Sequence, residues 1–169
     1  IEDQSWPKRC GHLAGKAVIP TADMCMHIKA ACDARRDEDF VVIARTDAIA
    51  VEGFQAGLDR AAAYAEAGAD VLFVEAMTSE DQLRKARAAL DKPLIYNMAT
   101  SGKTPFLSAQ EMEDIGFSLC IYPGVVLTTA IPVVQAMLRQ LRETGDIKSI
   151  MNQNASFQQL FDLMGMDKV

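Results

Sequence analysis

Phe40-Val41-Val42-Ile43-Ala44-Arg45-Thr46-Asp47 is a continuous apolar run that ends abruptly on charged and polar residues. An unbroken apolar run, rather than an alternating one, is the pattern of a parallel strand buried on both faces. Three further runs repeat the design: Val71-Leu72-Phe73-Val74 before Glu75, Pro93-Leu94-Ile95-Tyr96 before Asn97, and Leu119-Cys120-Ile121-Tyr122 before Pro123. Ile1, ahead of Glu2-Asp3, reads as the end of a fifth strand.

Helical patterns separate these runs. Met24, Ile28, Ala31 and Cys32 fall on one face, and Leu58, Ala61, Ala62 and Ala65 on another. Leu83, Ala86 and Leu90 mark a third helix that Ser79 can cap. Ser108-Ala109-Gln110-Glu111 is a capping box opening a fourth, which Gly116 ends, as Gly68 and Gly145 end theirs. Strands alternating with helices at this spacing predict an α/β fold with five strands, each followed by a helix. A doubly wound open sheet and a (β/α)8 barrel both accept that pattern. An open sheet gathers its ligand at one switch point, whereas every strand end of a barrel looks into one site. Because polar groups end four strands, a TIM barrel is the expected fold. A whole barrel takes about 250 residues, so the expectation is an incomplete one: residues 1–146 as its C-terminal five βα units, and residues 147–169 as a linker and terminal helix.

Composition narrows the function. The net charge is −6, and no basic stripe offers a nucleic-acid footprint. The longest apolar run, 124–134, is interrupted by Thr128, Thr129 and Pro132 and is too short to span a bilayer. The start carries no charged-then-apolar leader pattern, so no signal peptide is expected. The four cysteines, Cys10, Cys25, Cys32 and Cys120, lack disulfide-scaffold density or a metal-type spacing, which predicts a reduced, cytoplasmic protein. His27 is expected at the surface, and the nine methionines as core filling.

Lys8-Arg9-Cys10-Gly11-His12 stands apart from this scaffold. A thiol flanked by cations and a histidine is a candidate acid or base, because positive charge favours the thiolate. The competing reading is a loop cysteine among solvated charges.

Together, Ile1-Glu2-Asp3-Gln4, the Lys8–His12 block and Ala44-Arg45-Thr46-Asp47-Ala48 resemble the isocitrate lyase/phosphoenolpyruvate mutase superfamily. Within it the chain is most similar to the short lyases of the 2-methylisocitrate and 2,3-dimethylmalate type. The resemblance continues through Glu75, Asn97, Tyr122-Pro123 and Phe157-Gln158-Gln159-Leu160-Phe161. It implies a Mg²⁺-dependent carbon–carbon lyase, with Mn²⁺ as a substitute. Such an enzyme cleaves a 2-hydroxy di- or tricarboxylate by retro-aldol chemistry to an α-keto acid such as pyruvate and a second carboxylic acid. The resemblance further implies that Glu2 sits near the metal through water, with the main metal-binding aspartates upstream of Ile1. Cys10 becomes the acid/base, supported by Lys8 and His12. The amides of Cys10 and Gly11, with Arg45, Glu75, Asn97 and Pro123, become the substrate pocket.

Each role has a plainer rival. Arg45 can be a structural partner of Asp47 or Glu75, Glu2 can cap a loop, and Asn97 can form a turn. The short lyases also carry an arginine five residues after the proline of the last strand, where this chain has Thr128. That departure favours a smaller diacid over a tricarboxylate. Oxaloacetate decarboxylation on the same fold is one alternative, and a catalytically dead barrel fragment serving as a binding or assembly module is another. Finally, Ser156 can cap a terminal helix whose Phe157, Leu160, Phe161 and Met164 form an apolar stripe. The resemblance implies that this helix is exchanged between the subunits of a homotetramer.

Overall fold

Val71-Leu72-Phe73-Val74 is buried at every residue, and it forms an inner strand of a parallel sheet. The computed structural model describes residues 1–10, 15–99, 103–148, 151 and 155–166. Strands β1 (Ile43–Thr46), β2 (Val71–Val74), β3 (Leu94–Asn97) and β4 (Leu119–Ile121) lie in the order β1-β2-β3-β4. Ile1–Asp3 joins the free edge of β1 in parallel: the Arg45 amide donates to the Ile1 carbonyl at 2.8 Å, and the Asp3 amide to that of Arg45 at 3.2 Å. The predicted fifth strand is therefore present as a short stub.

The helices are α1 (Thr21–Ala34), α2 (Ile49–Glu52), α3 (Phe54–Glu66), α4 (Glu80–Ala89), α5 (Ala109–Ile115), α6 (Val125–Thr144) and α7 (Phe157–Met164). Their ends follow the predicted chemistry. Ser79 Oγ accepts from the Gln82 amide at 3.2 Å. Ser108 and Glu111 complete a reciprocal capping box, and Gly116 closes α5 in the left-handed conformation (φ 98°).

Period-two alternation then assigns the faces of the sheet. Ala44, Leu72, Val74, Leu94 and Tyr96 pack with Met24, Ile28, Leu58, Tyr64, Leu83 and Met112 from α1, α3, α4 and α5. Ile43, Val71, Phe73 and Ile95 form a separate cluster on the other face. The helices of residues 1–124 that enter the core thus all cover one face, and the strand order never reverses. A doubly wound sheet has helices on both faces and a reversal; one-sided winding is how a barrel wall is built.

One expected boundary moves. Phe40 and Val41 are 64% and 52% exposed, and β1 starts only at Ile43. Phe40 lies in a turn, with its amide on the Asp37 carbonyl and its carbonyl accepting from Arg35 Nη1. An apolar run reports burial only where a second layer lies over it, and here that layer begins at Val42.

Residues 125–169 form a second unit. In it α6 contains Pro132, and Gly145 follows with φ 66°. Ser156 and Gln159 form the capping box that opens α7, and the Phe157 and Phe161 rings lie with centroids 6.2 Å apart at a tilt of 42°. No helix among the described residues is long and apolar enough to cross a membrane.

Candidate active site

Alternation that sends Ile43, Phe73 and Ile95 to the face opposite α1, α3, α4 and α5 sends the polar residues two positions further along the chain to the same face. Arg45 is the penultimate residue of β1, Glu75 follows β2, and Asn97 ends β3. Glu2 pairs across from Arg45 in the parallel bridge and joins them, whereas its neighbour Asp3 points into the helix layer.

Arg45 organises the cluster. Its Nε donates to Asp47 Oδ2 at 2.8 Å and its Nη2 to Asp47 Oδ1 at 3.1 Å. Nη2 also lies 3.2 Å from Glu75 Oε2, and Nε lies 3.5 Å from Glu2 Oε2. The guanidinium plane sits over the Phe73 ring at 4.7 Å, a cation–π contact that fixes its tilt. Burial works against the Arg45 charge, but Asp47, Glu75 and Glu2 outweigh it and the pKa rises. Burial likewise pushes the Asp47 carboxyl up, and Arg45 with Lys16 more than reverse this, so its pKa falls. Both structural partners considered for Arg45 are therefore real. They occupy Nε and Nη2.

Asn97 Nδ2 donates to Glu75 Oε2 at 3.0 Å. Its Oδ1 is buried and has no partner among the described residues, the signature of a group arranged for a ligand rather than for the fold. Just after Glu75, Ala76 adopts φ 68°, and its amide donates to Glu75 Oε1 at 3.2 Å. A non-glycine residue in the left-handed region is strained by about 1–3 kcal/mol, and here the strain turns the chain directly at a site carboxylate.

Lys8 Nζ reaches Glu2 Oε1 at 2.7 Å. Cys10 is exposed, and Gln4 braces the backbone just before it, donating to the Arg9 carbonyl at 2.8 Å and accepting from the Arg9 amide at 2.9 Å. Gly11 and His12 lie outside the described residues. Pro123 is exposed in the turn after β4, two residues beyond Ile121, which pairs with Asn97. The structure therefore brings Glu2, Lys8, Arg45, Glu75 and Asn97 together. Cys10 and Pro123 are exposed and have no described contact to them.

Both Glu2 oxygens face cations, and no three metal-type ligands converge among the described residues.

Asp47, one of the two structural partners expected for Arg45, is its main anchor. Two features were not foreseen. Lys16 lies 3.4 Å from Asp47 Oδ1 with both side chains buried. Asp3 is wholly buried. It accepts from Thr46 Oγ1 at 2.7 Å, Tyr64 Oη at 2.8 Å and the Asp47 amide at 2.9 Å. Burial, with Asp3 adding to it, pushes the Tyr64 pKa up and keeps the phenol protonated as a donor. The Arg-Thr-Asp spacing carried a signal for Asp47, since residues two apart in extended chain share a face. No local signal predicted Lys16, whose contact spans 31 positions.

Comparison with known proteins places this geometry. The chain is 50% identical over 145 residues to a probable 2-methylisocitrate lyase from Corynebacterium glutamicum, covering 86% of this chain and 47% of that protein. The crystal structure of a 2,3-dimethylmalate lyase superposes with a TM-score of 0.91 at 37% identity, over 99% of this chain and 56% of the other. An oxaloacetate acetylhydrolase bound to 3,3-difluorooxaloacetate superposes with a TM-score of 0.91 at 33% identity, over 99% and 57%. The chain thus spans about half the length of the relatives it matches. With the family profile described as phosphoenolpyruvate phosphomutase matching residues 1–142, the chain belongs to that family, within the isocitrate lyase/phosphoenolpyruvate mutase superfamily.

Proposed function

We propose that the whole protein is a carbon–carbon lyase that cleaves a 2-hydroxy dicarboxylate, or a tricarboxylate, to an α-keto acid such as pyruvate and a second carboxylic acid. The observation that carries this reading is the convergence of Arg45, Glu75 and Asn97 at the ends of three adjacent strands, with Asn97 Oδ1 buried and without a partner among the described residues. A guanidinium held on one edge by Asp47 can turn its other edge to a substrate carboxylate, and the orphaned amide oxygen can accept from a substrate hydroxyl.

In the cleavage direction the substrate hydroxyl gives its proton to water, its oxygen becomes the keto group, and the C–C bond breaks. The electron pair of that bond goes to the carbon beside the departing carboxylate. Cys10 then gives its proton to that carbon, with Lys8 and His12 supporting the segment around it; Gly11, beside Cys10, and Pro123 complete the pocket. A divalent cation, Mg²⁺ or Mn²⁺, supplies Lewis-acid stabilisation of the keto-acid oxygens in such chemistry. Glu2 would then approach that cation through water. On this reading residues 1–146 are five βα units of a barrel that closes with a further part, and residues 147–169 carry a helix exchanged within a homotetramer. The protein works on small acids in the cytoplasm.

A smaller substrate is the second reading. Thr128 replaces the arginine expected for a further carboxylate, which favours a smaller acid such as oxaloacetate, decarboxylated on the same fold; an oxaloacetate acetylhydrolase is among the structural neighbours. The test is to give the full-length protein and Mg²⁺ methylisocitrate, dimethylmalate and oxaloacetate in turn. Pyruvate from a 2-hydroxy acid supports the lyase; turnover of oxaloacetate alone supports the second reading. No product from any of the three sinks both.

A further inference from the structure

The segment that carries Cys10 is tied at both ends to the carboxylates that flank Arg45. Before Cys10, Lys8 pairs with Glu2 at 2.7 Å, and Glu2 lies 3.5 Å from Arg45 Nε. After it, Lys16 pairs with Asp47 at 3.4 Å, and Asp47 grips the same Nε at 2.8 Å. The two ends are also zipped together: the Ser5 amide donates to the Ala17 carbonyl at 2.9 Å and the Ile19 amide to the Asp3 carbonyl at 2.8 Å, around the antiparallel bridge of Gln4 and Val18.

These ties differ in kind. Lys8 is 58% exposed, so solvent screens its pair. The side chains of Lys16 and Asp47 are 2% and 0% exposed. A buried carboxylate shared between two cations keeps a fixed position only while both are present; removing one leaves its charge uncompensated. Asp47 also takes the Arg45 fork with both its oxygens, and its backbone amide is held by Asp3. Its freedom to shift is small, and so is that of the guanidinium.

We infer that Lys16 and Asp47 are positioning residues: as a buried pair they set the orientation of Arg45, and through Lys16 they lock it to the base of the Cys10 segment. Neither need touch the substrate. The inference rests on the reading of Arg45 as a substrate-carboxylate ligand.

The experiment is a double-mutant cycle in the full-length protein, with steady-state cleavage of the best substrate as readout. Lys16→Met keeps length and removes the charge; Lys16→Arg restores it. Expected are a rise in KM of about tenfold for Lys16→Met, a change in kcat below about threefold, and recovery to within about threefold by Lys16→Arg. The decisive variant is Lys16→Met combined with Arg45→Lys. If Lys16 acts through Arg45, the double variant is no worse than Arg45→Lys alone. Effects that multiply instead, or a Lys16→Met enzyme with unchanged KM, overturn the positioning role. Unchanged kinetics in Arg45→Lys by itself would overturn the substrate-ligand reading instead, so the two failures are distinct. If Lys16→Met does not fold, Asp47→Asn takes its place in the cycle under the same criteria, since it retains the shape and one acceptor for Arg45.

Discussion

Asn97 donates one hydrogen bond to Glu75, at 3.0 Å, and leaves its amide oxygen buried without a partner among the described residues. The two halves of this amide act oppositely on the fold. The bond to a carboxylate contributes about 1.5–3 kcal/mol, while a buried unsatisfied acceptor costs about 1–3 kcal/mol. Asn97→Ala removes both. The expected outcome in the full-length protein is a stability change within about 1 kcal/mol, as the two terms offset, with kcat/KM lowered by about tenfold or more. A large loss of stability with intact kinetics would make Asn97 a turn former.

Arg45→Lys tests the guanidinium. Lysine keeps the charge but cannot fork onto both oxygens of Asp47 while presenting a second edge. Losing one charge-assisted contact of about 1.5–3 kcal/mol raises KM roughly tenfold to a hundredfold. Initial-rate kinetics decide it.

Why these residues were legible and others were not follows from the range of their interactions. Arg45, Glu75 and Asn97 could be picked out because polar groups closing buried apolar runs are expensive unless used, and that is a local signal. The capping serines Ser79, Ser108 and Ser156 were equally local, and each caps its helix. The start of β1 was misplaced because Phe40 and Val41 owe their exposure to where α1 and the Asp37 turn run, which their own pattern does not encode. Lys16 was missed for the same reason. Its partner Asp47 is brought to it only by the pairing of Ile1–Asp3 with β1.

Asp70 sets an acid limit on the fold. Its carboxylate accepts from the Val42 amide and from Arg35 Nη1, both at 2.8 Å, tying the entry of β1 to the end of α1. The Val42 bond chiefly, with Arg35 adding to it, lowers its pKa against the opposing effect of burial. A carboxyl with a depressed folded pKa contributes stability that is fully present above its unfolded value, about 3.9, and is lost as pH falls toward the folded one. Urea unfolding of the full-length protein at pH 5 and pH 3 should therefore show a smaller acid loss for Asp70→Asn than for the parent. Equal losses would remove Asp70 from the acid-sensitive set.

Cys10→Ser addresses the chemistry. A serine hydroxyl is a far weaker acid than the thiol, so proton delivery to the carbanion should fail while the pocket stays intact. The expected result is a fall in cleavage by about two to four orders of magnitude, with pyruvate and Mg²⁺ binding unchanged by calorimetry. Cleavage within a few-fold of the parent would return Cys10 to an exposed loop thiol.

The terminal helix tests assembly. Helix α7 is capped at both ends, by the Ser156–Gln159 box and by Gly165 in the left-handed conformation, so its ends are well defined by local chemistry. Yet Phe157, Leu160, Phe161 and Met164 are 79%, 45%, 38% and 69% exposed. An apolar stripe of four large side chains at helical spacing is stable only against another surface. A fold-back onto the subunit's own barrel and an exchange with a neighbour both supply one, and they differ in what deletion does. Removing residues 153–169 from the full-length protein should leave a soluble, folded subunit of lower mass by light scattering if the helix is exchanged. If the truncated protein keeps the parent's oligomeric state, exchange of α7 is not what holds the assembly together.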